Sequence, residues 1–279
     1  MNTGISPGAK WFTLCLPFFQ YLFFHCKFTI SISVSVCRCK SKVIAKIRIF
    51  SALKNCEDGK NCLILRRQRK IKLKKQQYMM NSEGNLKKNS EVLVFFADGF
   101  EEIEAIGAVD ILRRGGLDVA TVSITDKKEV AGAHGVTIVT DTVIGEVTGA
   151  SPKWIVLPGG MPGAENLHKC VALGEMIERQ NERGGHIAAI CAAPAVVLAQ
   201  AGLMDGRKMT CYPGFEGMCG DADVDGGRSV VDGNFITANG PSSVTNMCYE
   251  ILKIEKGCDT ALDVLGGMLV DTDKGDFSL

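Results

Sequence analysis

The segment of this 279-residue chain best equipped for chemistry is Ile190-Cys191-Ala192-Ala193-Pro194. A strand, His186 to Ile190, runs directly into a helix expected to reach Gln200. A residue at such a turn projects its side chain into the cleft above a sheet. Ala188, Ala189, Ala192 and Ala193 are small enough for that crowded backbone. A thiol there faces the free amides and partial positive charge of a helix N-terminus, which favour thiolate. The competing reading is a buried structural cysteine, and spacing alone does not choose between them. Cys170, Cys211, Cys219, Cys248 and Cys258 are scattered without metal-ligand spacing and read as reduced thiols of a cytoplasmic protein, so no metal site is expected.

The elements that must position Cys191 follow a regular order. Val92 to Ala97 is a continuous apolar run, as expected of a strand buried on both faces. Asp98-Gly99-Phe100 breaks it. A helix is expected from Glu101 to Arg114, with acids in its first turn, arginines in its last, and Gly115-Gly116 closing it. Strands are expected at Leu117–Ile124, Val136–Thr140 and Trp154–Pro158, then a single helix from about Ala164 to Glu182. Short strands near Lys208–Cys211, Ser229–Val231 and Phe235–Ala238 precede a helix from Ser242 to Ile254. Strands alternating with helices predict an α/β domain with a mostly parallel sheet covered on both sides. Ligand chemistry in such a sheet gathers at the carboxyl ends of the strands. Three loops qualify: Asp98 to Glu102, Pro158 to Gly163, and Cys191 to Pro194. None carries a dinucleotide or P-loop glycine pattern, so no nucleotide cofactor is expected.

The formal net charge of +1 conceals two unlike parts. Residues 1–90 carry 18 Lys+Arg against 3 Asp+Glu, and the remainder carries 14 against 28. The boundary sets a basic, Cys-rich N-terminal extension, 1–89, apart from one domain, 90–279. The apolar run Trp11 to Cys26 is short for a membrane helix and lacks a clean cleavage site for a signal peptide. The basic stretch Arg66 to Lys75 suits nucleic acid or an anionic membrane, and more readily a segment without fold. Residues 29–90 show no sustained periodicity beyond the alternation of Ile30 to Val36, and Met79-Met80 stands just before the first strand. Residues 1–78 therefore read as unstructured or as upstream sequence translated in frame, with a targeting segment or basic arm as alternatives. No nucleic-acid partner is expected for the domain, and no membrane partner unless the extension is authentic.

Ala97-Asp98-Gly99-Phe100-Glu101-Glu102-Ile103-Glu104, Val156-Leu157-Pro158-Gly159-Gly160 and Ala188 to Pro194 together resemble, in order and spacing, the ThiJ/PfpI superfamily. The nearest branch is that of the parkinsonism-associated protein deglycase and its bacterial relatives. The resemblance covers residues 90–270. It implies a flavodoxin-like three-layer sandwich of the class I glutamine amidotransferase type, a homodimer, and Cys191 as the reactive cysteine. It makes Glu104 the carboxylic acid that contacts the sulfur, although by sequence alone Glu104 is one more first-turn acid. Gly159, Gly160 and Ala192 then offer backbone N–H groups to an oxyanion.

The chain also departs from that pattern. Where many relatives carry a histidine near the cysteine, it has Tyr212, which donates a hydrogen bond but is no base near neutral pH. Ala192 replaces the histidine of the peptidase branch, which argues against proteolysis. His134 stands where relatives often have an arginine at the pocket mouth. The activity implied is cofactor-independent attack on reactive dicarbonyls or their early protein adducts, of glyoxalase III or protein deglycase type. The alternative is a redox-sensing, stress-protective chaperone whose cysteine oxidises to sulfinate. Thiazole monophosphate biosynthesis, a label attached to the family, finds no phosphate loop here.

Overall fold

The computed structural model describes residues 30–39, 42–51 and 90–272. Its contacts divide the chain into two units, Met1–Gly84 and Asn85–Leu279. In the first unit, β1 (Ile30–Cys39) and β2 (Lys42–Ser51) pair antiparallel, Ile30 opposite Ser51. The strands extend the alternation seen over Ile30 to Val36. The apolar run from Trp11, the basic stretch from Arg66 and the Met79-Met80 pair lie outside the described residues.

The second unit runs β3 (Val92–Phe96), α1 (Glu102–Arg114), β4 (Val119–Ser123), β5 (Glu129–Ala131), β6 (Thr137–Val139), β7 (Thr142–Val143), α2 (Ile144–Val147), β8 (Trp154–Leu157), α3 (Gly163–Lys169), α4 (Val171–Glu182) and β9 (His186–Ile190). A π-helix, Pro194–Ala199, comes next. It is followed by β10 (Lys208–Met209), β11 (Asp223–Val224), β12 (Ser229–Asp232), β13 (Phe235–Ala238), α5 (Val244–Lys256) and α6 (Cys258–Gly267). Seven strands form the main sheet in the order β12-β13-β9-β8-β3-β4-β7, and only the β12–β13 pair is antiparallel. This is the flavodoxin-like three-layer α/β sandwich expected.

Side chains alternate between the two faces of a strand, so each central strand feeds two cores. Val92, Val94, Phe96, Val156 and Ile190 pack with α1, α5 and α6. Leu93, Phe95, Ile155, Leu157 and Ala189 pack on the other side with α3, α4 and the π-helix. The path through this sheet enters at β3 in mid-sheet, moves out through β4 and β7, then returns to β8 on β3's other flank. That reversal makes β3/β8 a topological switch point, where connections diverge and a crevice opens at the carboxyl ends.

Four expectations need correction. The helix expected over Ala164–Glu182 is two helices, broken at Cys170, whose backbone is extended (φ −80°, ψ 98°). Continuing the face of Ala164 and Leu167 would bury Val171, yet Val171 is exposed and Leu173, Met176 and Ile177 are buried instead. The two apolar stripes are half a turn out of phase, and one straight helix cannot bury both. The strand near Val136–Thr140 is β6, which pairs with the unforeseen β5 in a separate hairpin rather than joining the sheet. The strand at Lys208–Cys211 shortens to two residues beside β11. The helix expected directly after Cys191 starts only at Pro194, because Cys191 has φ 64°, incompatible with a right-handed helix. Among the described residues no helix is long and apolar enough to cross a membrane.

Candidate active site

Three connections meet at the switch point. The loop after β3 ends at Glu101, which caps α1: its Oε2 accepts the Glu104 N–H at 2.7 Å. The pair resembles one half of a capping box, with an acid in place of serine. The loop after β8 locks onto it, since Glu101 N–H donates to the Gly159 carbonyl at 3.0 Å. Gly159 N–H in turn donates to Glu104 Oε2 at 2.8 Å. The acid is thus aimed by its own cap and by the neighbouring loop.

Glycine is required here by space. A Cβ on Gly159 would lie 2.6 Å from the Cys191 Cβ and 2.9 Å from Glu104 Oε2. Gly160 has φ +86°, and a Cβ there would lie 2.4 Å from the Glu101 nitrogen. The third connection follows β9. Cys191 N–H donates to the Ala238 carbonyl at 2.8 Å, and the Cys191 carbonyl accepts from Tyr212 N–H at 2.8 Å. These bonds hold Cys191 in its left-handed conformation, a strained state for a side chain with a Cβ and the signature of a nucleophile elbow.

Cys191 is 8% exposed and Glu104 is fully buried. Burial is the main reason the Glu104 carboxyl rises to about 7; the Gly159 N–H and the Cys191 thiol pull it part of the way back, and the Glu101 charge adds to the rise. Burial likewise pushes the Cys191 thiol up to about 12, and the Glu104 charge beside it adds to the rise. The backbone N–H groups of Gly160 and Ala192 act in the opposite sense on the sulfur. The resting state is therefore a protonated thiol beside a carboxyl that titrates near neutrality, not the free thiolate suggested by position alone. Glu104 Oε1, fully enclosed, has no partner of hydrogen-bonding geometry. A carboxyl in contact with a protonated sulfur and titrating near neutrality can take that proton.

The residues read from the sequence separate into two groups. Cys191, Glu104, Gly159, Gly160 and Ala192 come together. Within that group Gly159 changes role: its N–H is spent on Glu104, so Gly160 and Ala192 supply the donors near the sulfur. Tyr212 touches Cys191 through its backbone, while its 44% exposed side chain meets the Phe215 ring edge-on, centroids 6.4 Å apart. His134 is exposed and bound to Glu102, by ring Nδ1 at 2.8 Å to Oε2 and by backbone N–H at 2.7 Å to Oε1. The Glu102 carboxylate raises the His134 pKa. This pair ties the β5–β6 hairpin to the start of α1. Glu101 was missed as a positioning residue, although its place three residues before Glu104 was the available signal.

A protein-family model described as the DJ-1/PfpI family matches residues 90–254. Protein DJ-1 homolog B of Arabidopsis thaliana is 36% identical over 187 residues, covering 67% of this chain and 43% of that protein. The chain thus spans less than half the length of that plant relative. The "Glutathione-independent glyoxalase DJR-1.2" of Caenorhabditis elegans is 32% identical over 174 residues, covering 60% of this chain and 89% of that protein. The solved structure of oxidized Toxoplasma gondii DJ-1 superposes with a TM-score of 0.63 at 36% identity, covering 64% of this chain and 98% of that one.

Proposed function

The chain belongs to the DJ-1/PfpI family, and from that premise we propose that it is a cofactor-independent cysteine enzyme converting small reactive dicarbonyls to hydroxy acids. The observation that carries this reading is the buried carboxyl of Glu104, raised to about 7 and in contact with the Cys191 thiol. The C. elegans relative named as a glutathione-independent glyoxalase supports the substrate class.

The Glu104 carboxylate takes the thiol proton as the Cys191 sulfur bonds to the aldehyde carbon of methylglyoxal. The carbonyl electron pair moves to oxygen, which accepts hydrogen bonds from the Gly160 and Ala192 N–H groups and then the proton from Glu104. The product is a hemithioacetal. Glu104, again a carboxylate, removes the proton from that carbon, giving an enediolate, and returns it to the adjacent carbon while the first hydroxyl's proton passes to the former ketone oxygen. The resulting thioester is hydrolysed by water to lactate, restoring the thiol. An acid that titrates near the working pH suits all of these transfers. Early dicarbonyl adducts on proteins present the same carbon and form the deglycase version of the reaction. A cytoplasmic homodimer belongs to the same proposal, and sedimentation of the full chain at monomer mass would remove the dimer from it.

The test is lactate formation from methylglyoxal by the full chain, with Cys191→Ser as the control. Turnover by Cys191→Ser equal to the parent refutes the mechanism. A second reading, a redox sensor, is favoured by one observation: the Toxoplasma relative has been solved in an oxidized form. A protonated Glu104 could donate a hydrogen bond to a Cys191 sulfinate. Gain of two oxygens at Cys191 after mild peroxide, without dicarbonyl turnover, would select that reading.

A further inference from the structure

Besides Cys191, the domain holds a pair of sulfur atoms that the proposed chemistry does not use. Cys211 and Cys219 are both buried, and their Sγ atoms lie 3.8 Å apart. The stretch between them folds back on itself. Phe215 N–H donates to the Tyr212 carbonyl, Met218 N–H to the Phe215 carbonyl and Cys219 N–H to the Glu216 carbonyl. The Cys219 thiol also reaches the Phe215 carbonyl at 3.6 Å. From Tyr212 to Met218 every residue except half-buried Phe215 is exposed. A thin surface loop is therefore all that separates this dithiol from solvent.

The other described cysteines of the domain differ. Cys248 is enclosed in α5 and feels only burial. Cys258 meets the Tyr249 hydroxyl at 3.3 Å, and Cys170 approaches the Ile124 carbonyl at 4.0 Å. Cys191 packs in the core formed with α1 and α5, whereas Cys211 and Cys219 pack in the opposite core, although the backbones meet where Tyr212 N–H donates to the Cys191 carbonyl.

We propose that Cys211 and Cys219 form a redox-active dithiol that closes to an intramolecular disulfide when the protein meets a thiol oxidant. Closure needs the sulfurs to approach by about 1.8 Å, since a disulfide is about 2.05 Å long. Gly214, inside the loop at positive φ with nothing within 4 Å of an added Cβ, leaves room for that adjustment. The balance is simple. With a diazene oxidant such as diamide, one thiolate adds to the N=N bond and the second displaces it, forming the S–S bond. Both thiol protons and two electrons leave as the hydrazine. With hydrogen peroxide, one thiol becomes a sulfenic acid and the other displaces water from it. Burial pushes Cys211 up to about 12 and also raises Cys219, so both thiols rest protonated and closure is slower than that of an exposed low-pKa pair.

The sequence offers a clean measurement. Cleavage after Lys208 and Arg228 releases Met209–Arg228, a peptide that holds Cys211 and Cys219 and no other cysteine. The full chain is treated with diamide, its remaining thiols are alkylated, and the digest is weighed without reduction. The expected result is that most of this peptide carries no alkyl group and is two hydrogens lighter than the reduced form. Reduction before alkylation should return the doubly alkylated peptide, and Cys219→Ser should leave Cys211 alkylated after oxidation. Recovery of the parent peptide with both thiols alkylated after diamide, or joined to peptides from elsewhere in the chain, overturns the proposal. The outcome is independent of dicarbonyl turnover.

Discussion

Cys191 and the Cys211–Cys219 pair are alike by the measure usually applied to reactive thiols and unlike in everything that decides their chemistry. Burial pushes both Cys191 and Cys211 up to about 12. Beside Cys191 stands an acid that titrates near 7 and two backbone N–H groups that favour charge on sulfur. Beside Cys211 stands another thiol, and the nearby Glu216 charge only adds to its rise. The first arrangement moves a proton and stabilises the anion it leaves; the second offers a neighbouring sulfur as electron-pair acceptor once one of the two is oxidised. The lesson is that a raised thiol pKa reports burial, while the partner determines whether the site does addition chemistry or disulfide chemistry.

The largest effect that could break this contrast is on turnover. Cys191→Ser should lower lactate formation from methylglyoxal by at least about 10³-fold, because the nucleophile is lost. Cys219→Ser should change it by less than about twofold. Rates measured under reducing conditions on the full chain check both. A loss in Cys219→Ser comparable to that in Cys191→Ser would merge the two regions into one machine.

Glu104→Gln sharpens the contrast because it should raise stability while removing activity. The amide oxygen can still accept from Gly159 N–H, but the side chain can no longer take a proton. Turnover should fall by roughly 10²–10⁴-fold. The Glu104 pKa is raised from 4.5 to about 7 in the folded protein. Between these values the folded state holds a proton that the unfolded chain releases, so stability falls as pH rises through that window. The cost is fully present above the folded value, up to about 3 kcal/mol. Glu104→Gln escapes it, so its melting temperature should exceed the parent's at pH 8, by roughly 2–4 °C for each kcal/mol. At pH 5 most of that gain should vanish. The parent's kcat/KM should in turn fall as pH drops below about 7, as Glu104 becomes protonated and loses its capacity as base. A flat profile across that range would separate Glu104 from proton transfer.

Much of this was legible in the sequence, for identifiable reasons. Central strands buried on both faces announce themselves as apolar runs, so Val92 to Phe96 and Trp154 to Leu157 stood out. The elbow at Cys191 was visible because small residues flank it at a strand-to-helix junction, although the helix was expected to begin at once and begins at Pro194. The break at Cys170 was encoded in the phase of two apolar stripes, which a search for one continuous helix overlooks. β5, β7, β11 and α6 were not foreseen: the strands are two or three residues long, and α6 buries only Ala261 and Leu265, too little to set a periodic signal. The two-sided role of Gly159 was illegible, since which N–H meets which carboxylate depends on loops remote in sequence. The contact between Cys211 and Cys219 was hidden for the same reason, because seven residues of loop can bring two thiols together or keep them apart.

The last contrast concerns how rigidly each region is built, and glycines probe it. Gly160 and Gly214 both have positive φ, so alanine pays a conformational cost at either position, about 1–2 kcal/mol. At Gly214 nothing lies within 4 Å of the added Cβ, and Gly214→Ala should cost no more than that. At Gly160 the Cβ would meet the Glu101 nitrogen at 2.4 Å and the Gly99 carbonyl oxygen at 2.5 Å, both backbone atoms that cannot rotate away. One loop must then move off the other, carrying the Gly160 N–H away from the Cys191 sulfur and loosening the cap that aims Glu104. Gly160→Ala should therefore cost about 3 kcal/mol or more, since overpacking adds to the backbone cost. Urea unfolding midpoints of the two variants check the difference. Equal midpoints would mean that the switch-point loops yield as easily as the loop over the dithiol, and that the geometry around Cys191 is not held by close packing of backbone on backbone.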